Sequence, residues 1–145
     1  MKRTLPIVLL SAAAFIAAAS LVVGSAQAEV LVIANNSVKS ASVSKSDLKD
    51  VFTGASSSFK DGSKVTPILL KGGPANDQFL TAFVGKNDTA FRATWRSLVF
   101  SGQASMPKSL DTEAAVVDYV AHNAGAVGYI SSATPHEGVK VLEVK

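Results

Sequence analysis

The chain has 145 residues, 14 Lys or Arg against 11 Asp or Glu, 48% hydrophobic residues and no cysteine. The missing cysteine excludes disulfides, thiolate metal sites and cysteine nucleophiles together. The formal charge of +3 is inflated by Lys2 and Arg3, and without them the rest of the chain carries +1, so no nucleic-acid partner is expected from long-range attraction.

Lys2 and Arg3 open a segment with an apolar run from Leu5 to Val23 and small residues at Ala26-Gln27-Ala28. A charged start, a hydrophobic middle and an Ala-x-Ala end are what export machinery and signal peptidase accept. Residues 1–28 are therefore expected to be a cleaved secretory signal, the alternative being an uncleaved membrane anchor, since Leu5 to Val23 approaches the length needed to span a bilayer. The protein should then be periplasmic or secreted, with no membrane insertion after cleavage. Residues 29–145 are expected to form one domain, long enough to bury roughly two-thirds of its unfolded surface without staples.

Val30 to Ala34 is a short β-branched run ended by the turn formers Asn35, Asn36 and Ser37, which predicts a buried strand. Ser44 with Asp47 resembles a capping box, Leu48, Val51 and Phe52 fall at helical spacing, and Gly54 supplies a stop; a helix over 45–53 is expected. Val65 to Leu70 predicts a second strand, with Pro67 marking an edge or a bulge.

Lys71-Gly72-Gly73-Pro74 then leads into a helix with Phe79, Leu80, Phe83 and Val84 on one face, closed by Gly85. A strand, a glycine turn and a helix make a geometry that suits a small oxyanion, because unpaired N–H groups and one fixed positive charge meet there. The same turn is also a structural necessity in many α/β units. Asn87-Asp88-Thr89 caps a further helix, with Phe91, Trp95, Leu98 and Val99 expected in the core and Arg92 and Arg96 on its other face. Asp111 is expected to cap a helix that points Val116, Val117, Val120 and Ala121 inward. Strands at 126–130 and 139–144 close the chain. Alternation of this kind predicts an α/β fold, a mixed sheet packed by helices.

Catalytic signatures are absent: there is no G-x-S-x-G, H-E-x-x-H, G-x-x-x-x-G-K-[ST] or G-x-G-x-x-G. The two histidines, His122 and His136, have no spacing to further donors that would build a metal site and read as surface residues. Asn35-Asn36-Ser37 reads as a turn and Trp95 as core. No enzyme, metal or cofactor is expected.

Several blocks in one order carry a family likeness: Val43-Ser44-Lys45-Ser46-Asp47-Leu48-Lys49-Asp50-Val51-Phe52-Thr53-Gly54, Asp61-Gly62-Ser63 with the strand to Leu70, Trp95-Arg96-Ser97-Leu98-Val99-Phe100-Ser101-Gly102 and Ala124-Gly125-Ala126-Val127-Gly128-Tyr129-Ile130. In these the chain resembles the phosphate-type periplasmic substrate-binding proteins of ABC transporters, in their short single-lobe branch. The resemblance implies a single periplasmic-binding-protein-like lobe, with half of the usual two-lobed cleft. It also implies a small oxyanion such as phosphate as ligand, and an ABC permease or other envelope protein as partner.

In the family, an arginine at the strand end and a serine-glycine-threonine turn hold phosphate; Lys71 falls at the arginine position, and Ala75, Asn76 and Asp77 at the turn. The chain departs there, since Ala75 lacks a hydroxyl and Asp77 brings a carboxylate. The candidate site is therefore Lys71, Gly72, Gly73, Asn76 and Asp77, expected to bind weakly. The alternative implied by the exposed half-cleft is an envelope interaction module that uses that face for a protein partner or for self-association.

Overall fold

A computed structural model of the chain describes residues 29–145; the expected signal, residues 1–28, lies outside the described residues. The strands are β1 (Val30–Ala34), β2 (Ser42–Val43), β3 (Thr66–Leu70), β4 (Lys108–Leu110), β5 (Ala126–Ser131) and β6 (Lys140–Val144). The helices are α1 (Lys45–Phe52), α2 (Pro74–Phe79), α3 (Asp88–Phe100) and α4 (Glu113–His122), and α2 runs on into a π-helical turn over Leu80–Val84. The strands form one mixed sheet in the order β2-β6-β1-β5-β3-β4. Among the described strands β1 alone runs against its neighbours, antiparallel to both β5 and β6, while β3 lies parallel to β4 and β5.

The expected α/β class is the observed one, with two short strands added. β2 and β4 are two and three residues long, too short for an alternating pattern to declare itself. Pro67 sits in a strand that is internal to the sheet, without cost to the ladder. The Thr66 N–H donates to Gly125 O, so the Pro67 nitrogen faces the other side, where β4 pairing begins only at Ile68.

The sheet is covered on both faces. Tyr129 on β5 stacks on Phe79 of α2 with ring centroids 4.0 Å apart, and Phe52 of α1 meets both rings edge-on. On the opposite face, a methyl group at Gly128 would lie 2.7 Å from Val116 and 3.4 Å from Val120 of α4. Glycine there lets α4 approach the sheet closely, and it explains why β5 is buried on both sides.

Local chemistry sets the helix starts. Ser44 Oγ accepts from the Asp47 N–H at 3.1 Å, as the capping-box spacing implies, and Asn87 Oδ1 accepts from the Ala90 N–H at 2.8 Å. α4 is capped by Thr112, whose hydroxyl accepts from the Ala115 N–H at 3.1 Å. Asp111, expected in that role, lies one residue too early and pairs with Lys71 instead.

Two expectations for α3 are corrected. Val99 is 41% exposed rather than core, because the buried stripe runs through Phe91 and Trp95 and only Leu98 continues it in part. Arg92 does not share a solvent face with Arg96; the start of α3 packs beside the end of β3, and Arg92 turns in to bond there. Ala121 and Val117 are only partly buried. Trp95 is core as expected, its indole N–H donating to Phe52 O at 2.9 Å. Asn35 forms the expected turn, its Oδ1 accepting from the Ser37 N–H.

Candidate functional site

Parallel strands β3, β4 and β5 end at the same edge of the sheet, and the loops that leave this carboxyl edge are where ligands gather in open α/β sheets. Lys71-Gly72-Gly73 leaves β3 there. The Lys71 N–H donates to Leu110 O at 3.0 Å, which ties the loop to the end of β4. Gly73 takes φ +97°, a conformation that favours glycine, and turns the chain directly into Pro74 at the start of α2. Space is open around both glycines, since a methyl group on either would meet nothing within 4 Å. Among the described residues neither glycine N–H has a hydrogen-bond partner, so the loop presents free donors.

Charge around the loop is mixed. Lys71 Nζ lies 3.0 Å from Asp111 Oδ1, with both side chains largely exposed, so the pair contributes about 0–1 kcal/mol and yields readily to a competing anion. Asp77 is exposed and lines a shallow groove with Gln78, Thr81 and Ala82 down the side of the helix. Its N–H donates to Gly73 O at 3.1 Å. Glu113, at the start of α4, accepts from the Ser131 N–H and from Thr134 Oγ1 and so fastens the loop that follows β5.

Asn76 occupies a different environment from the rest of the candidate set. It is wholly buried, and its side chain is engaged at both ends: Oδ1 accepts from the Tyr129 hydroxyl at 2.5 Å, and Nδ2 donates to Asp88 Oδ1 at 2.8 Å. Asp88 receives Arg92 Nε at 3.0–3.1 Å, Arg92 Nη2 donates to Leu70 O at 2.8 Å, and the Leu70 N–H donates to the Tyr129 hydroxyl at 3.0 Å. The network closes on Leu70, the residue just before Lys71. Both backbone groups at the root of the loop are thus held by side chains from β5 and α3. Burial pushes the Tyr129 hydroxyl up to about 12, against the opposing pull of the Leu70 N–H and the Arg92 charge. It stays protonated, as a group that must both donate and accept requires.

The structure therefore keeps Lys71, Gly72 and Gly73 in one open loop at the carboxyl edge, leaves Asp77 exposed on the first turn of α2 beside Gln78, Thr81 and Ala82, and sends the Asn76 side chain into the core. Tyr129, Asp88 and Arg92 are not among the site residues expected from sequence, where they read as part of a strand, a helix cap and a surface position. A partial signal existed in the i,i+4 pairing of Asp88 with Arg92 and in a tyrosine interrupting an aliphatic strand. Among the described residues no group of three or more His, Asp or Glu side chains is arranged to hold a metal ion, and no helix is long and apolar enough to cross a membrane.

No protein-family model matches the sequence, and neither does any curated protein. Solved structures do match in fold. An ABC-type phosphate transport receptor from Vibrio cholerae aligns over 81% of this chain and 46% of its own, with a TM-score of 0.61 and 16% identity. A protein from Clostridium perfringens, described as a candidate phosphate ABC transporter substrate-binding protein and solved with bound phosphate, aligns over 81% and 45%, with a TM-score of 0.62 and 17% identity. PstS from Borrelia burgdorferi gives 81% and 47%, a TM-score of 0.60 and 13% identity. The chain spans about half the length of each of these proteins. The described residues thus have the fold of one lobe of phosphate-type substrate-binding proteins, with the Lys71 loop at the carboxyl edge of its sheet.

Proposed function

We propose that this chain is an exported solute-binding lobe that takes a small oxyanion such as phosphate weakly, at Lys71, Gly72 and Gly73. The observation that carries this reading is the open glycine loop with unpaired N–H groups at the carboxyl edge of β3, on a fold related to phosphate-binding receptors. Lys71 supplies the fixed charge by exchanging Asp111 for the ligand. Asn76 contributes only its backbone, and the exposed Asp77 carboxylate on the first turn of α2 opposes an anion through its charge. A charge-assisted hydrogen bond contributes about 1.5–3 kcal/mol, so Lys71 and two amides together offer about 4.5–9, which covers the roughly 4 kcal/mol of a millimolar ligand and falls short of the roughly 8 of a micromolar one over most of that range. Its natural partner would be an ABC permease or another envelope protein.

Calorimetric titration of the purified protein with phosphate, sulfate and acetate tests the reading. A millimolar Kd is expected for one of them, weakened roughly tenfold by Lys71→Ala, the weight of one charge-assisted bond. No heat from any of the three at millimolar ligand would remove the claim.

A second reading, an interaction module of the envelope, is favoured by one observation. Phe100 is 95% exposed at the end of α3, with Val99 and Met106 also exposed, an arrangement that suits a protein contact. α3 begins beside Leu70 and ends at Phe100, so this surface lies at the far end of that helix from the Lys71 loop, rather than on the half-cleft face. Light scattering across a concentration series of the protein and of Phe100→Ser tests self-association through it; a strict monomer in both counts against that form of the reading.

A further inference from the structure

α1 sorts its charges to its two sides. With Leu48, Val51 and Phe52 buried, the turn of about 100° per residue puts Lys45 and Lys49 on one flank and Asp47 and Asp50 on the other. The acidic flank is in use: Asp47 accepts from the Lys60 N–H at 3.2 Å and lies 3.7 Å from its ammonium group. Among the described residues, the basic flank has no ion-pair partner.

That flank borders a groove of about 340 Å³ between α1 and the π-helical turn, lined by Lys45, Ser46, Lys49, Thr81, Phe83 and Gly85 among others, with no carboxylate in its walls. The wide turn closes through Gly85 N–H to Leu80 O at 2.7 Å. It leaves the small Thr81 and Ala82 exposed, so the groove stays open, while the half-buried Phe83 rests on Phe79 and gives it an apolar wall. Turns of this kind are frequent at functional sites. The carbonyl end of the turn at Gly85 repels anions and the two ammonium groups attract them, so an anionic group belongs at the lysine side and an apolar body at the Phe83 side.

We propose that this groove is a second binding site, for a small soluble amphiphilic anion. Its carboxylate or phosphate lies between Lys45 and Lys49, within reach of the Ser46 and Thr81 hydroxyls, and a short apolar or aromatic body packs on Phe83. The site shares no lining residue with the Lys71 loop and does not depend on that loop's function.

Amide NMR spectra of the purified protein titrated with phenyl phosphate, inorganic phosphate and phosphatidylglycerol vesicles test this. Phenyl phosphate at about 10 mM is expected to shift the amides of 45–49 and 81–85, with a Kd on the order of 1 mM. Lys45→Gln with Lys49→Gln should weaken it roughly tenfold, and Ala82→Glu should abolish it by placing a carboxylate in the groove. All three positions are exposed, and unchanged shifts elsewhere verify the fold of each variant. Gly72 and Gly73 amides report separately on the Lys71 loop, so failure at one site is distinct from failure at the other. The proposal is overturned by absent groove shifts, by shifts undiminished in the variants, or by inorganic phosphate matching phenyl phosphate in affinity. Lysine-dependent binding to vesicles without phenyl phosphate binding would also overturn it in favour of a membrane surface.

Discussion

Tyr129→Phe removes a single oxygen from the centre of the network that holds Leu70, and its cost can be worked from the bonds it breaks. The hydroxyl accepts the Leu70 N–H and donates to Asn76 Oδ1, and both partners are buried. The ring itself is conserved, so stacking on Phe79 is retained and the loss is confined to hydrogen bonding. Each buried polar group left without a partner costs about 1–3 kcal/mol. Allowing for the easier burial of phenylalanine, the variant should lose about 2–4 kcal/mol, a fall in Tm on the order of 10 °C for a chain of this size. Urea denaturation followed by the fluorescence of Trp95, the single tryptophan, measures it. Tyr119→Phe is the control, since among the described residues that hydroxyl makes no hydrogen bond and the ring lies under Lys108; a change within about 0.5 kcal/mol is expected. A cycle with Asn76→Ala should show a coupling of about 0.5–3 kcal/mol. If Tyr129→Phe proves as stable as its parent, the network does not hold the root of the loop and the reasoning about Leu70 fails.

Tyr129 also predicts a pH dependence. Its folded value near 12 lies above the ordinary value of 10, so the unfolded chain releases this proton first. Stability from this group is full below pH 10 and falls between pH 10 and 12 by about 3 kcal/mol. Denaturation midpoints across that range should show a loss that Tyr129→Phe lacks, and parallel curves for the two proteins would contradict it. Gly128→Ala should cost about 1–3 kcal/mol by driving a methyl group against Val116. Most of that should return in the double variant with Val116→Ala, whereas additive costs in urea would disprove the close approach. Asn87→Ala removes the cap of α3 and should cost about 1 kcal/mol. An unchanged urea midpoint would count against that cap.

The strands and helices with long, clean periodicity were legible from the residues alone. β1, α1 and the outer bounds of β3 and β5 follow from apolar spacing and from caps such as Ser44 and Asn87, because a cap acts within three residues of itself. The Lys71 loop was legible for the same reason, since its geometry is local to a strand end and a glycine pair. What the residues could not reveal is which side chains meet across the sheet. Arg92 reads as a surface residue until α3 is laid beside β3, and Asn76 reads as a ligand contact until Tyr129 is brought against it from a strand 53 positions later. Val99 and Asp111 likewise depend on neighbours that their own segments do not contain. Buried polar bonding and the direction of a charged side chain are decided by packing between elements, because a donor or acceptor removed from water must find its partner wherever the fold supplies one.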